Sequence, residues 1–188
     1  LLPEQQGKLA MNVLKDPYNL DFLTLEKGYN ERDLESALAH DITHFLLELG
    51  SGFSYIGRQR ELVVSCDGYF PDLLFYHIKL RCYVVIELKV VEFMPEFAGK
   101  LNFYVAACNR LLRGEGDNPT IGLLICKSKD QTKVEWAFDS ILNPMGVATY
   151  EGINVADKLP SVEELQKRIE QLEDIIEKEQ NAEHCQKW

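Results

Sequence analysis

The tightest constraint on the fold is a pair of apolar runs, Pro71-Asp72-Leu73-Leu74-Phe75-Tyr76 and Tyr83-Val84-Val85-Ile86-Glu87-Leu88-Lys89, with a short break between them. β-Branched and aromatic residues dominate both, so each reads as a strand. Paired antiparallel about a turn near Lys79-Leu80, they set position 72 opposite 87 and 74 opposite 85. Directly opposed residues share a face. Leu73, Phe75, Val84, Ile86 and Leu88 then form an apolar set on the other face. Asp72, Glu87 and Lys89 converge on one side at one end of the hairpin.

Two carboxylates opposed on otherwise apolar strands repel each other and lose hydration. A divalent cation resolves that conflict, because hard ions such as Mg²⁺ take one or two carboxylates together with waters and a phosphate oxygen. Lys89, two residues beyond Glu87 on the same face, is placed to hold a nucleophilic water or to neutralise charge developing on a phosphate. The plain alternative is a Glu-Lys pair on a solvated strand face, with Asp72 as a turn residue. Glu-x-Lys alone favours that alternative; the Pro-Asp at hairpin distance shifts the balance.

Around the hairpin, residues 1 to about 25 read as a helical lead-in. A stronger helix opens at Asn30-Glu31-Arg32-Asp33 with Asn30 as N-cap, carries Leu34, Leu38, Ile42, Phe45 and Leu49 on one stripe, and stops at Gly50. Short strands follow over 53–56, 61–66, 70–76 and 82–88. A helix over 95–112, a buried strand over 121–126, a helix over 130–138 and a strand over 146–150 complete the order, which fits an α/β layer on a mixed sheet. Ser161 to Glu179 has a capping-box start and an apolar stripe, Val162, Leu165, Ile169, Leu172 and Ile176. That stripe suits either packing on its own domain or a short coiled coil that pairs two copies.

Pro71-Asp72 followed by Glu87-Leu88-Lys89 resembles the motif of the PD-(D/E)xK nuclease superfamily. The strings Tyr55-Ile56-Gly57-Arg58-Gln59, Asp72 to His77, Arg81-Cys82, Asn102-Phe103-Tyr104, Asn118-Pro119 and Ile125 to Lys129 resemble the C-terminal nuclease domain of the YhcG-like family. The resemblance covers roughly residues 15 to 165. It implies a restriction-endonuclease-like core, a central mixed β-sheet flanked by α-helices, with a C-terminal helix added. The expected division is a lead-in over 1–25, a nuclease-like domain over 26–158 and an amphipathic helix and tail over 159–188.

The resemblance also implies cleavage of DNA with Mg²⁺ or Mn²⁺, Asp72 and Glu87 as metal ligands, the Leu88 carbonyl as a third, and Lys89 as the catalytic lysine. Glu35 is the best match for an acid that completes the site from the first helix in many relatives, with Glu31 and Asp33 as other candidates. Some branches carry Gln-x-x-x-Tyr on the following helix. Here Lys100 stands in the Gln place before Tyr104, either as a second phosphate contact or as a surface lysine. Arg58-Gln59 and Lys127-Lys129 are candidates to flank the catalytic end as nucleic-acid contacts.

Two other readings compete. His40 and His44 lie at zinc-ligand spacing on one helix face, but Asp41 replaces the glutamate base of such a motif and no third ligand stands out. A nuclease fold without catalysis, binding nucleic acid or protein in a larger assembly, is the second. Charge bears on partners: 30 acids against 20 bases give a net charge of −10, which argues against nonspecific binding to nucleic acid or an anionic membrane. Five irregularly spaced cysteines suggest a reducing, cytoplasmic setting, with Cys66, Cys82 and Cys126 as core residues. No run is long enough to span a membrane. The start, lacking Met and a signal-peptide layout, suggests a piece of a longer chain, and the resemblance to the YhcG-like family implies an N-terminal partner domain.

Overall fold

The apolar hairpin becomes the centre of a six-stranded mixed sheet. In the computed structural model, which describes residues 14–156, the elements run β1 (Tyr18–Asn19), β2 (Thr24–Glu26), α1 (Glu31–His40), α2 (Ile42–Leu49), β3 (Phe53–Arg58), β4 (Leu62–Val64) and β5 (Asp67–Tyr69). They continue with β6 (Leu73–His77), β7 (Cys82–Glu92), α3 (Pro95–Leu111), β8 (Ile121–Ser128), α4 (Gln131–Phe138), β9 (Met145–Glu151) and β10 (Asn154–Ala156). The main sheet has the order β1-β9-β8-β7-β6-β3, with β4-β5 and β2-β10 as separate two-stranded ribbons. β6 pairs antiparallel with β3 and β7, while β8 runs parallel to β7 and β9. The chain divides after Val155 into two units; all of the second except Ala156, with the Ser161–Glu179 stripe, lies outside the described residues. Among the described residues no helix is long and apolar enough to cross a membrane.

Alternation along the strands explains why both faces of this sheet are covered. Leu73, Phe75, Val84, Ile86 and Leu88 pack with Leu34, Leu38 and Phe45 of α1 and α2. Leu74, Val85, Leu124 and Cys126 pack on the opposite face with Leu101, Tyr104 and Cys108 of α3. Leu74 opposes Val85, the register read from the sequence. Asp72, one residue before β6, therefore falls opposite Glu87.

Several expectations need correction. The part of the lead-in that is described is not helical: Tyr18 and Asn19 pair with Tyr150 and Glu151, and Leu20 donates to the Glu151 carbonyl at 2.8 Å. Strand pairing and burial of Tyr18 and Leu20 override the weak helical spacing, most of which (Leu9, Val13) lies outside the described residues. The helix after Asn30 is two helices, broken at Asp41, whose carboxylate takes His44 Nδ1 at 2.6 Å and whose backbone leaves helical geometry. Strand 61–66 ends at Val64, and β5 precedes β6. Ser65 and Cys66, at φ +51 and +72, make a tight two-residue turn between β4 and β5. That turn exposes Cys66, which is not a core residue, whereas Cys82, Cys108 and Cys126 are buried.

Candidate active site

The site forms because β7 is longer than its partner. β6 ends its ladder at Leu73 opposite Ile86, while β7 continues beside β8 to Lys89 and beyond. Glu87, Leu88 and Lys89 thus project past the start of β6, beside Asp72. The Leu88 amide donates to Asp72 Oδ2 at 2.8 Å, fixing the aspartate against β7. The acid predicted on the first helix also arrives: Asn30 caps α1 through a full capping box with Asp33, and Glu35, one turn further on, is buried at the same cleft. Asp33 belongs to the cap and not to the cleft.

One amide joins the two carboxylates from separate elements. Gln59 Nε2 lies 2.5 Å from Glu35 Oε2 and 3.2 Å from Asp72 Oδ1. Gln59 sits at φ +46 and its own N–H donates to the Asp72 carbonyl at 3.1 Å, so its backbone and side chain are both tied to the site. Glu87 is fully buried. Its Oε1 meets the ammonium of Lys100 directly and that of Lys89 at 3.5 Å, while Oε2 has no hydrogen-bond partner. Lys89 is also 3.9 Å from Glu31 Oε1 and 5.2 Å from the centre of the Phe97 ring.

These contacts set the electrostatics. Burial raises the Glu87 carboxyl above its ordinary range, and Asp72 pushes it the same way, against the pull of Lys100 and Lys89. Burial raises Asp72 too, despite the Leu88 amide and the two lysines. Glu35 is raised by burial, partly offset by the Gln59 hydrogen bond. For Lys100 burial acts downward, but contact with Glu87 outweighs it and holds the ammonium charged. The carboxylates resist ionisation together, and positive charge relieves them.

The cleft holds about 740 Å³. Asp72, Glu87, Lys89, Glu35, Arg58, Gln59 and Lys100 all line it. Tyr104, Lys127 and Lys129 do not line it. Tyr104 is buried, its hydroxyl donating to the Phe70 carbonyl at 3.3 Å. Lys129 pairs with Asp16 and donates to the Val147 carbonyl at 2.9 Å, and Lys127 is exposed at the end of β8. Leu88 enters through its amide, which the sequence reading had not used. Arg32 and Ser36 were missed; they line the cleft from the helical face that carries Glu31 and Glu35, a spacing of i and i+4 that was there to be read.

The donor set suits a hard cation: two carboxylates from adjoining strands, one with a buried oxygen lacking any partner. Among the described residues, however, no three His, Cys, Asp or Glu side chains are grouped to hold one ion. Gln59 stands between Glu35 and Asp72, and Lys100 occupies Glu87 Oε1. The same absence bears on the histidine pair. His44 is engaged by Asp41 and stacks on Phe22, ring centres 5.6 Å apart.

The sequence profile of the YhcG PDDEXK nuclease domain matches residues 11–170. The chain belongs to this family. A curated relative in Escherichia coli (strain K12), named "Putative nuclease YhcG", is 34% identical over 149 residues, covering 79% of this chain and 40% of the relative. The chain thus spans well under half the length of that YhcG relative. Among solved structures, an EndoMS complex with double-stranded DNA is similar with a TM-score of 0.47 and 14% identity, over 66% of this chain and 46% of the other. A repair endonuclease from Pyrococcus abyssi is similar with a TM-score of 0.43 and 14% identity, over 69% and 49% of the two chains. The YhcG-family core accounts for the mixed sheet and for the placing of Asp72 and Glu87-Leu88-Lys89 at one end of the hairpin.

Proposed function

We propose that this YhcG-family domain is an endonuclease that hydrolyses DNA phosphodiester bonds with Mg²⁺ or Mn²⁺. The observation that carries the reading is the convergence of buried Glu87, Asp72 and Lys89 at the mouth of a charged cleft. Asp72 and Glu87 would hold the ion, with water and a phosphate oxygen completing its shell. When bound, such an ion polarises the phosphoryl group and makes water a better nucleophile. Lys89 lies where its ammonium orients the attacking water and offsets charge on the non-bridging oxygens. The water oxygen bonds to phosphorus, the bond from phosphorus to the leaving oxygen breaks, and that oxygen takes up a proton.

Arg58, with Nη1 3.4 Å from Ser36 Oγ, and Arg32 add positive charge to the cleft lining that suits backbone phosphates. Gln59, expected as a nucleic-acid contact, acts instead on Glu35 and Asp72 in this reading. A reducing cytoplasmic setting, a homodimer through residues 161–179 and an N-terminal partner domain remain part of the proposal. They are tested by fractionation and by light scattering on the chain with and without residues 159–188.

The decisive assay incubates plasmid, linear and branched DNA with the purified chain in Mg²⁺, Mn²⁺, Zn²⁺ and EDTA, beside Asp72→Ala. Cleavage in Mg²⁺ or Mn²⁺ that EDTA and Asp72→Ala both abolish is expected. Binding without cleavage under every metal would establish the noncatalytic module instead, and cleavage in zinc alone would restore the histidine pair.

A further inference from the structure

We propose that Lys100 is an exchange residue: its ammonium holds Glu87 in place of the divalent cation, and on cation binding it transfers to a phosphate oxygen of the nucleic acid. This rests on the reading above that Asp72 and Glu87 hold the ion.

Three observations carry it. First, Lys100 contacts Glu87 Oε1 directly, on a carboxylate whose other oxygen has no hydrogen-bond partner. An incoming divalent ion must share that carboxylate with a positive charge in contact with it, and like charges at such distances in a poorly solvated site repel strongly. Second, the two lysines on Glu87 differ in freedom. Lys89 is 14% exposed, carried on β7 itself, and hemmed by Phe97 and Glu31. Lys100 comes from α3, on a different element from either carboxylate, and is 47% exposed. Its four-carbon stem can swing without disturbing the sheet. Third, an aromatic face lies beside the ammonium. Lys100 Nζ is already 5.4 Å from the centre of the Tyr104 ring, within the range at which an aromatic face attracts a cation. The Tyr104 ring is anchored by its hydroxyl bond to the Phe70 carbonyl. Being 47% exposed at the cleft, the ammonium is open to a phosphate oxygen that enters it.

The consequence is a pair of effects of opposite sign. Removing the ammonium should strengthen binding of the ion and weaken binding of the nucleic acid. A lysine that merely supported the fold would weaken both.

The test measures Mn²⁺ binding to the whole chain by calorimetry, without DNA, in wild type, Lys100→Met and Lys100→Gln. Affinity is expected to rise about tenfold or more in both variants. KM for a duplex oligonucleotide in saturating Mn²⁺ is expected to rise, with a salt slope shallower by about 0.9. A measurement on the wild-type side chain supplements the variants. With lysines carrying ¹³C-methyl groups, the signal that Lys100→Gln removes should shift towards the solvent-exposed position as Mg²⁺ is added. Equal or weaker Mn²⁺ affinity in both variants, or a Lys100 signal that stays fixed as the ion binds, would overturn the exchange. Wild-type chain that binds Mn²⁺ with the expected variant pattern but cleaves no DNA would overturn the nuclease reading and leave Lys100's competition with the ion in place. Failure of all three proteins to bind Mn²⁺ overturns both.

Discussion

Glu87 is the residue on which folding and function pull hardest against each other. It is fully buried beside a second carboxylate, and one of its oxygens has no partner. Burial raises the carboxyls of Glu87, Asp72 and Glu35, so the folded chain prefers them protonated. The stability they contribute is therefore fully present below the ordinary carboxylate range and lost as pH rises through their raised values. Asp72→Asn keeps an acceptor for the Leu88 amide while removing a charge. It is expected to abolish cleavage and to raise Tm at pH 7.5 by about 2–4 °C, measured by thermal denaturation in EDTA. Asp16 behaves in the opposite sense. Burial acts upward on it, but hydrogen bonds from Lys129 and Thr149 outweigh burial and hold its carboxyl low. Its contribution is present above the ordinary aspartate range and lost as pH falls through its depressed value, so the stability gap between wild type and Asp16→Asn should close on acidification in urea titrations. Asp72, Glu87 and Lys89 were legible because register alone brings them together. Gln59 was legible only as a cation's neighbour, since its task depends on a left-handed backbone at φ +46 that its sequence does not announce.

At the scale of elements, the strands and helices with strong periodicity appear where their residues place them. α1 starts at the Asn30 cap, α3 spans almost the whole expected run, and β8 is buried along its apolar length. The errors fall where local chemistry was weak or ambiguous. Ser65-Cys66 lacks the Asn-Gly signal of a two-residue hairpin turn, so the β4-β5 ribbon merged with its neighbours. Both residues have positive φ, and Cys66→Gly relieves one of them. That substitution should stabilise the domain by about 0.5–1 kcal/mol, read as a higher urea midpoint. The Asn30 cap receives amide bonds from Arg32 and Asp33 at 2.9 and 3.1 Å. Asn30→Ala should cost about 1 kcal/mol of stability and, because α1 carries Glu35, should weaken Mn²⁺ binding as well, checked by denaturation and calorimetry. The lead-in went astray because strand pairing with β9 depends on residues more than a hundred positions away, which no local window contains.

For the whole molecule, a net charge of −10 and a charged cleft are compatible only if affinity is local. Arg32, Arg58 and Lys100 supply cations in a cleft that four acids also line, so a bound ion would tip the cleft towards the substrate. The account accordingly predicts weak duplex binding by this chain in EDTA at 0.15 M salt, strengthened by metal and steeply weakened by added salt, as followed by fluorescence anisotropy. The family matches agree with the scale of this assignment, a nuclease domain spanning 40% of its curated relative. The central claim is that Lys89 acts on the chemistry while Asp72 and Glu87 carry the ion. It is tested most directly by single-turnover cleavage of a duplex oligonucleotide in saturating Mg²⁺, comparing wild type with Lys89→Met. The account predicts a rate lower by about 10²–10⁴-fold with DNA affinity little changed. Cleavage by Lys89→Met at the wild-type rate would contradict it.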